Sequence, residues 1–323
     1  MDVALFDNKI DFTLGWYKKN TNDMLLPTSI PVISGFTNTL TNIGEVRNKG
    51  VEFNMGYQTS FQEFNIRTSF NISANKNEIK SIDTQTNQIT TGGNFGPNHM
   101  SRPGNPIAVF WGFKTLGIFD TQEQIDNHAL QQGVVPGSFI FQDTDGNGVI
   151  NPDDMVQIGD PHPNFVWGFN LNADYKRFDV SMIVEGAQGF DIYRQVEATT
   201  LNMDGVFNIL EEGVNRWRSA ENPGNGKIPT SNDWRFQRDP STRFIYSGSN
   251  TSIRNLTIGY TLPIIGSNIN DFRIFTSVDN LLIITNYPGN NPNVNQFGGL
   301  QPGVDDETFP LPRIFSFGAE LNF

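Results

Sequence analysis

The residues best able to do chemistry lie in one stretch, Asp143-Thr144-Asp145-Gly146-Asn147-Gly148-Val149-Ile150-Asn151-Pro152-Asp153-Asp154. Oxygen donors fall there at the spacing of a calcium-binding loop. Asp143, Asp145 and Asn147 supply side-chain oxygens, and Val149 supplies its carbonyl. Asn151 acts directly or through a water, and Asp154 closes the set. Gly148 permits the sharp turn, and Ile150 sits where such loops place an apolar anchor. Aspartate replaces the usual glutamate at the closing position, so its reach is shorter. The plainer reading is an Asp-Gly/Asn-Gly turn without an ion. Carboxylates packed this closely repel one another unless a cation lies between them, which favours a structural Ca²⁺ that stiffens an extracellular loop.

Other reactive types give no catalytic pattern. His99, His128 and His162 are isolated, without an HExxH run or a Ser-His-Asp order, and are expected in solvated loops. Asp153, Asp154 and Asp160 could imitate a glycosidase pair, but closeness in a turn says little about separation across a sugar. Asp120-Thr121-Gln122-Glu123 reads as a helix start, with a short helix to about Leu130. Trp111 could stack on a glycan, as could Trp217 and Trp234 in a long polar stretch. No catalytic, cofactor-binding or ligand-binding residue is assigned, and the chain is not expected to be an enzyme.

The elements that must carry these residues are strands. In the terminal run, Phe315, Phe317, Ala319, Leu321 and Phe323 alternate with Ser316, Gly318, Glu320 and Asn322. The same alternation places Ile10, Phe12, Leu14 and Trp16 on one face, and likewise Val51, Phe53, Met55 and Tyr57. It recurs for Phe64 to Ala74, Phe165 to Tyr175, Phe178 to Val184, Leu256 to Leu262 and Phe272 to Val278. By this parity Phe165, Trp167, Phe169 and Leu171 face lipid, whereas Asn170 and Asn172 face a lumen. Runs of about 9–11 residues suit tilted strands crossing a bilayer. Short turns at Asp7–Lys9, Ser60–Glu63 and Lys176–Arg177 alternate with long connections over Asn20–Arg47, Lys76–Ile107, Gly186–Asn250 and Asn286–Pro312. The fold class expected is all-β: an antiparallel transmembrane β-barrel, partial, of about ten strands with long extracellular loops. Plugged transporters close with roughly 22.

Composition agrees. With 37% hydrophobic residues, the 323-residue chain has no apolar run of about 20 residues, so no transmembrane helix is available. Its 31 glycines and 27 phenylalanines suit strands and turns. A net charge of −12 argues against a nucleic-acid partner. With no cysteine, disulfides and thiolate sites are excluded. Met1 to Lys9 lacks the basic and apolar regions of a signal peptide.

Several segments together carry a family resemblance. Asn42-Ile43-Gly44-Glu45-Val46-Arg47-Asn48-Lys49-Gly50-Val51-Glu52 resembles a barrel strand of SusC/RagA-type TonB-dependent transporters. Gly104 to Ile107 with Phe110 to Lys114 and Gly117 to Phe119, the Pro136 to Gly159 acidic segment, Asn215-Arg216-Trp217, Ile253 to Pro263, Asp279 to Leu282 and Pro310 to Phe323 follow in family order. The resemblance implies import of glycans or peptides across a Bacteroidetes-type cell outer membrane, with a SusD-like surface lipoprotein as partner. It implies contact with outer-membrane lipid and coupling to the TonB complex through an N-terminal part missing here. Residues 1–323 thus read as the C-terminal part of a barrel with the plug domain absent, unable to import alone. The alternatives are a soluble, calcium-stabilised β-rich carbohydrate-binding module and a β-rich glycan hydrolase.

Overall fold

A computed structural model describes the chain except for residues 30–32, 34, 37, 85, 94, 203–207, 232–237, 264–270 and 323, so Phe323 and Trp234 lie outside the described residues. Strands β1 (Asp2–Leu5), β2 (Ile10–Ser29), β3 (Asn38–Phe61) and β4 (Phe64–Ile82) come first. Six short strands follow: β5 (Ile89–Thr91), β6 (His99–Ser101), β7 (Val109–Gly112), β8 (Thr115–Ile118), β9 (Phe139–Phe141) and β10 (Val156–Gly159). Next are β11 (Phe165–Tyr175), β12 (Phe178–Gln188), β13 (Asp191–Arg194), β14 (Ile245–Ser247) and β15 (Asn250–Leu262). Strands β16 (Asp271–Thr285), β17 (Val304–Asp305) and β18 (Ile314–Asn322) complete the order.

Nine of these form one sheet, β1-β2-β3-β4-β11-β12-β15-β16-β18, in which every neighbour is antiparallel. About ten were expected. The sheet does not close on itself. Its register turns the sequence alternation into one surface. Phe12 pairs with Met55, Met55 with Phe70, Phe70 with Phe169, and Phe169 with Val184. Farther along, Met182 pairs with Leu256, Leu256 with Val278, and Val278 with Phe315. Directly opposed residues share a face, so the apolar side is continuous across the sheet. Aromatic residues gather near the short-turn end: Phe64 lies 6.1 Å from Tyr175, and Phe178 4.7 Å from Tyr260.

Tight turns join the strands at that end. Phe61 pairs with Phe64, and Tyr175 with Phe178. Gln62 and Lys176 take positive φ values of 53° and 55° to close these two-residue loops. At the other end β2, β3 and β4 run on for 20, 24 and 19 residues. This corrects the expectation that Asn20–Arg47 is a connection: most of it is paired strand. The apolar alternation stops after Trp16 while the backbone ladder continues.

The remaining strands build a packed layer at this far end. They form a four-stranded sheet (β10-β7-β6-β5), a three-stranded sheet (β14-β13-β17) and the β8-β9 pair. Its core holds Phe110, Tyr193, Ala198, Phe244 and Val304. A second cluster stacks Phe113 on Phe141 at 4.6 Å. Val46, Ile79 and Ile82 of the long strands pack with Ile107 and Leu300, tying the layer to the wall.

Candidate functional site

The carboxylate loop leaves β9 and ends in a short 3-10 turn, Pro152–Asp154. Asp143, Asp145 and Asp154 come together, each offering a carboxylate oxygen within 4.8 Å of the others. Backbone amides set this geometry. Gly146 and Gly148 N–H donate to the two Asp143 oxygens at 2.7 and 2.8 Å. Asn147 N–H donates to Asp145 at 2.9 Å. Thr144 and Asn151 N–H donate to the two oxygens of Asp154 at 2.7 and 2.9 Å. Asp154 is fully buried, and Asn151 caps the turn by accepting from Asp153 N–H at 2.7 Å. The Gly148 amide foremost, with Gly146, holds the Asp143 carboxyl below the usual carboxylate range against the opposing effect of burial.

The other three expected ligands are turned to the loop itself. Asn147 Oδ1 accepts from Val149 N–H at 2.7 Å, and the Val149 carbonyl accepts from Asn151 Nδ2 at 3.4 Å. Carboxylate and amide oxygens keep further lone pairs after one hydrogen bond, so these contacts do not bar a cation. None of the three aspartates pairs with a basic side chain among the described residues. The donor set, hard oxygens around converging negative charge, fits Ca²⁺. Ile150 packs beside Phe113, Phe139 and Phe141, as its anchor position requires. Leu130 bridges the loop by donating to Gly148 O at 2.8 Å and accepting from Ile150 N–H at 3.0 Å.

Other expectations are corrected. His99 is not solvated: it is buried against Phe110, with its nitrogens 2.7 Å from Asn98 Oδ1 and 2.9 Å from Pro302 O. Burial pushes its pKa down to about 4, against the Pro302 carbonyl, which favours imidazolium, and with a smaller push from the charge of His162. Half-buried His162 meets Ile107 O at 2.7 Å, and His128 meets Ala129 O at 3.0 Å. Trp217 is only 8% exposed and donates Nε1–H to Asp120 at 3.1 Å, so it offers no stacking face. The helix α1 spans Gln122–Asp126, shorter than expected, with Thr121 as its cap.

The inner face of the sheet is polar and cross-linked. Arg273 grips Asp179 with two hydrogen bonds of 2.8 and 2.6 Å. Asn255 donates to Ser277 and Asp279, and Asn170 to Ser69. Arg254, at the bulge between β15 and β16, reaches Glu185. The sequence reading missed a buried set in the layer. Glu197, 2% exposed, accepts from Arg194 at 2.5 Å and Tyr246 at 2.7 Å, beside a cavity of about 520 Å³ that Lys227 also lines. Tyr246 lies 49 residues from Glu197 in the chain, a separation that no local spacing announces.

A wall that is apolar on one side and polar on the other, with tight turns at one end and a packed loop layer at the other, is a segment of a membrane β-barrel. The family model for the TonB dependent receptor-like β-barrel matches residues 2–281, and the chain belongs to that family. TonB-dependent receptor P3 of Formosa agariphila is 32% identical over the whole chain, which covers 33% of that receptor. TonB-dependent receptor SusC of Bacteroides thetaiotaomicron is 24% identical, again over the whole chain and 31% of the relative. The chain thus spans about a third of the length of the curated relatives it matches. A chain of the RagAB peptide importer in the closed-closed state shares its fold at a TM-score of 0.80 and 23% identity, over all of this chain and 34% of that one. The open-open state gives 0.77.

Proposed function

We propose that this chain forms the C-terminal part of the barrel wall of a TonB-dependent importer in the outer membrane, taking up glycans or peptides with a SusD-like surface lipoprotein. One observation carries the reading: a continuous apolar face across nine strands, opposed by a hydrogen-bonded polar face. Lipid on one side and a watery lumen on the other satisfy both faces. Peptide import is the function named for RagAB, and receptor function is named for the Formosa and Bacteroides relatives. The soluble-module alternative has no support from these relatives and would leave the apolar face in water. The carboxylate loop is read as a structural Ca²⁺ site that orders the layer above the lumen, not as a catalytic centre.

Substitution on the two faces tests the reading. An arginine on the lipid side near the midplane costs about 2–4 kcal/mol, whereas a lumen position tolerates it. Phe169→Arg is expected to impair assembly in the membrane far more than Asn170→Arg, measured as the fraction of folded protein in membranes. Equal tolerance at the two positions would overturn the orientation.

A further inference from the structure

Lys18, Lys49 and Lys76 stand side by side on three neighbouring strands. Lys18 is the register partner of Lys49, and Lys49 of Lys76. In the adjacent row of the same face, Trp16 pairs with Val51, and Val51 with Ala74. The lysines therefore continue the apolar face by one step toward the loop layer. All three are exposed, and none has an ion pair or side-chain hydrogen bond among the described residues. Glu78, one row farther along β4, is already engaged by Lys80. Arg47 in that row donates to Asn20 at 3.1 Å.

Like charges directly opposed across strands destabilise a sheet. Neighbouring strands lie only about 4.8 Å apart. Glu78 feels the charge of Lys49 as well as that of Lys80, but forms its ion pair with Lys80. In a chain of net charge −12, three cations in register without an ion pair of their own mark a place where an anion belongs. Their depth identifies its source. Trp16 is 71% exposed and borders the row, as an interfacial aromatic does where hydrocarbon gives way to headgroups. A groove of about 590 Å³ lies alongside, lined by Trp16, Lys49, Lys76 and His162. Asp160 also borders it, with one carboxylate oxygen accepting the His162 N–H at 2.9 Å.

We propose that Lys18, Lys49 and Lys76 bind the phosphate of a membrane-lipid headgroup at the loop-end interface, with the lipid's acyl portion lying against Trp16, Val51 and Ala74. The proposal rests on this face meeting lipid. Its test uses protein extracted from membranes in detergent and loaded with diphosphorylated lipid A or with an uncharged glycolipid of equal chain length, the retained lipid being counted by native mass spectrometry. The unaltered protein is expected to retain the phosphorylated lipid at least tenfold better. The triple variant Lys18→Gln, Lys49→Gln, Lys76→Gln is expected to lose that preference, Lys49→Gln alone to lose most of it, and the triple Lys→Arg variant to keep it. Undiminished retention by the glutamine variants overturns the proposal. Full displacement of the lipid by inorganic phosphate overturns it as well, since the site would then serve a free anion. If Phe169→Arg and Asn170→Arg assemble equally, the orientation itself fails; if only Phe169→Arg is harmful and the glutamine variants keep their lipid, only the lysine site falls.

Discussion

At the scale of residues, the carboxylate loop binds three negative charges into one turn by means of backbone amides. Those amides supply part of the positive potential that a cation would, and so let three carboxylates share one turn. Ca²⁺ is expected to lower the rate of proteolysis within Asp143–Asp154, and the double variant Asp143→Ala, Asp145→Ala to remove that protection. The absence of any calcium response in calorimetry and proteolysis of the unaltered protein would leave only a turn. Asp143, Asp145 and Asp154 were legible in the sequence because the amide hydrogen bonds that gather their carboxylates all come from within about a dozen residues. His99 was not legible, because its burial is made by Pro302, which lies 203 residues away in the chain. A lone histidine among polar neighbours looks solvated until distant chain covers it.

At the scale of elements, the strand pattern was readable wherever lipid imposes it. Alternation between Phe165 and Tyr175 fixed both the ends of β11 and its two faces. It could not mark the ends of β2 and β3, since outside the bilayer water meets both faces and no longer dictates residue type. The inner face depends on small residues that leave room for ion pairs. A Cβ on Gly259 would lie 2.3 Å from Asp179 Oδ1 and 2.6 Å from Arg273 Nε, inside their pairing. Gly259→Val is therefore expected to separate Arg273 from Asp179 and destabilise the wall by about 1–3 kcal/mol, the usual range for overpacking. Heat-resistant mobility on gels would report it. An unchanged melting temperature would show that the pair has space to move aside.

At the scale of the whole molecule, two parts with different solvents share one chain: a wall built for lipid and a layer built like a soluble core. His99 gives them different responses to acid. Its folded pKa, about 4, lies below its ordinary 6.5. The folded layer therefore binds fewer protons than the unfolded chain between those values, so stability rises with pH across that window and levels off above it. Over the full window the effect amounts to as much as ~3 kcal/mol. The layer is expected to melt earlier at pH 4.5 than at pH 7 while the wall strands persist, as near-ultraviolet and far-ultraviolet circular dichroism would separate. A His99→Gln variant should flatten that dependence; an unchanged slope would place its origin elsewhere. The long hairpin of β2 and β3 has a consequence of another kind. Twenty residues of β2 reach about 66 Å along the strand, or roughly 50 Å of height at barrel tilt, against an apolar belt of about 25 Å. About half of that ribbon stands clear of the hydrocarbon. In the proposed outer-membrane setting this makes a ridge that a scanning tip, an antibody or a phage tail fibre would touch before it touched the hydrocarbon.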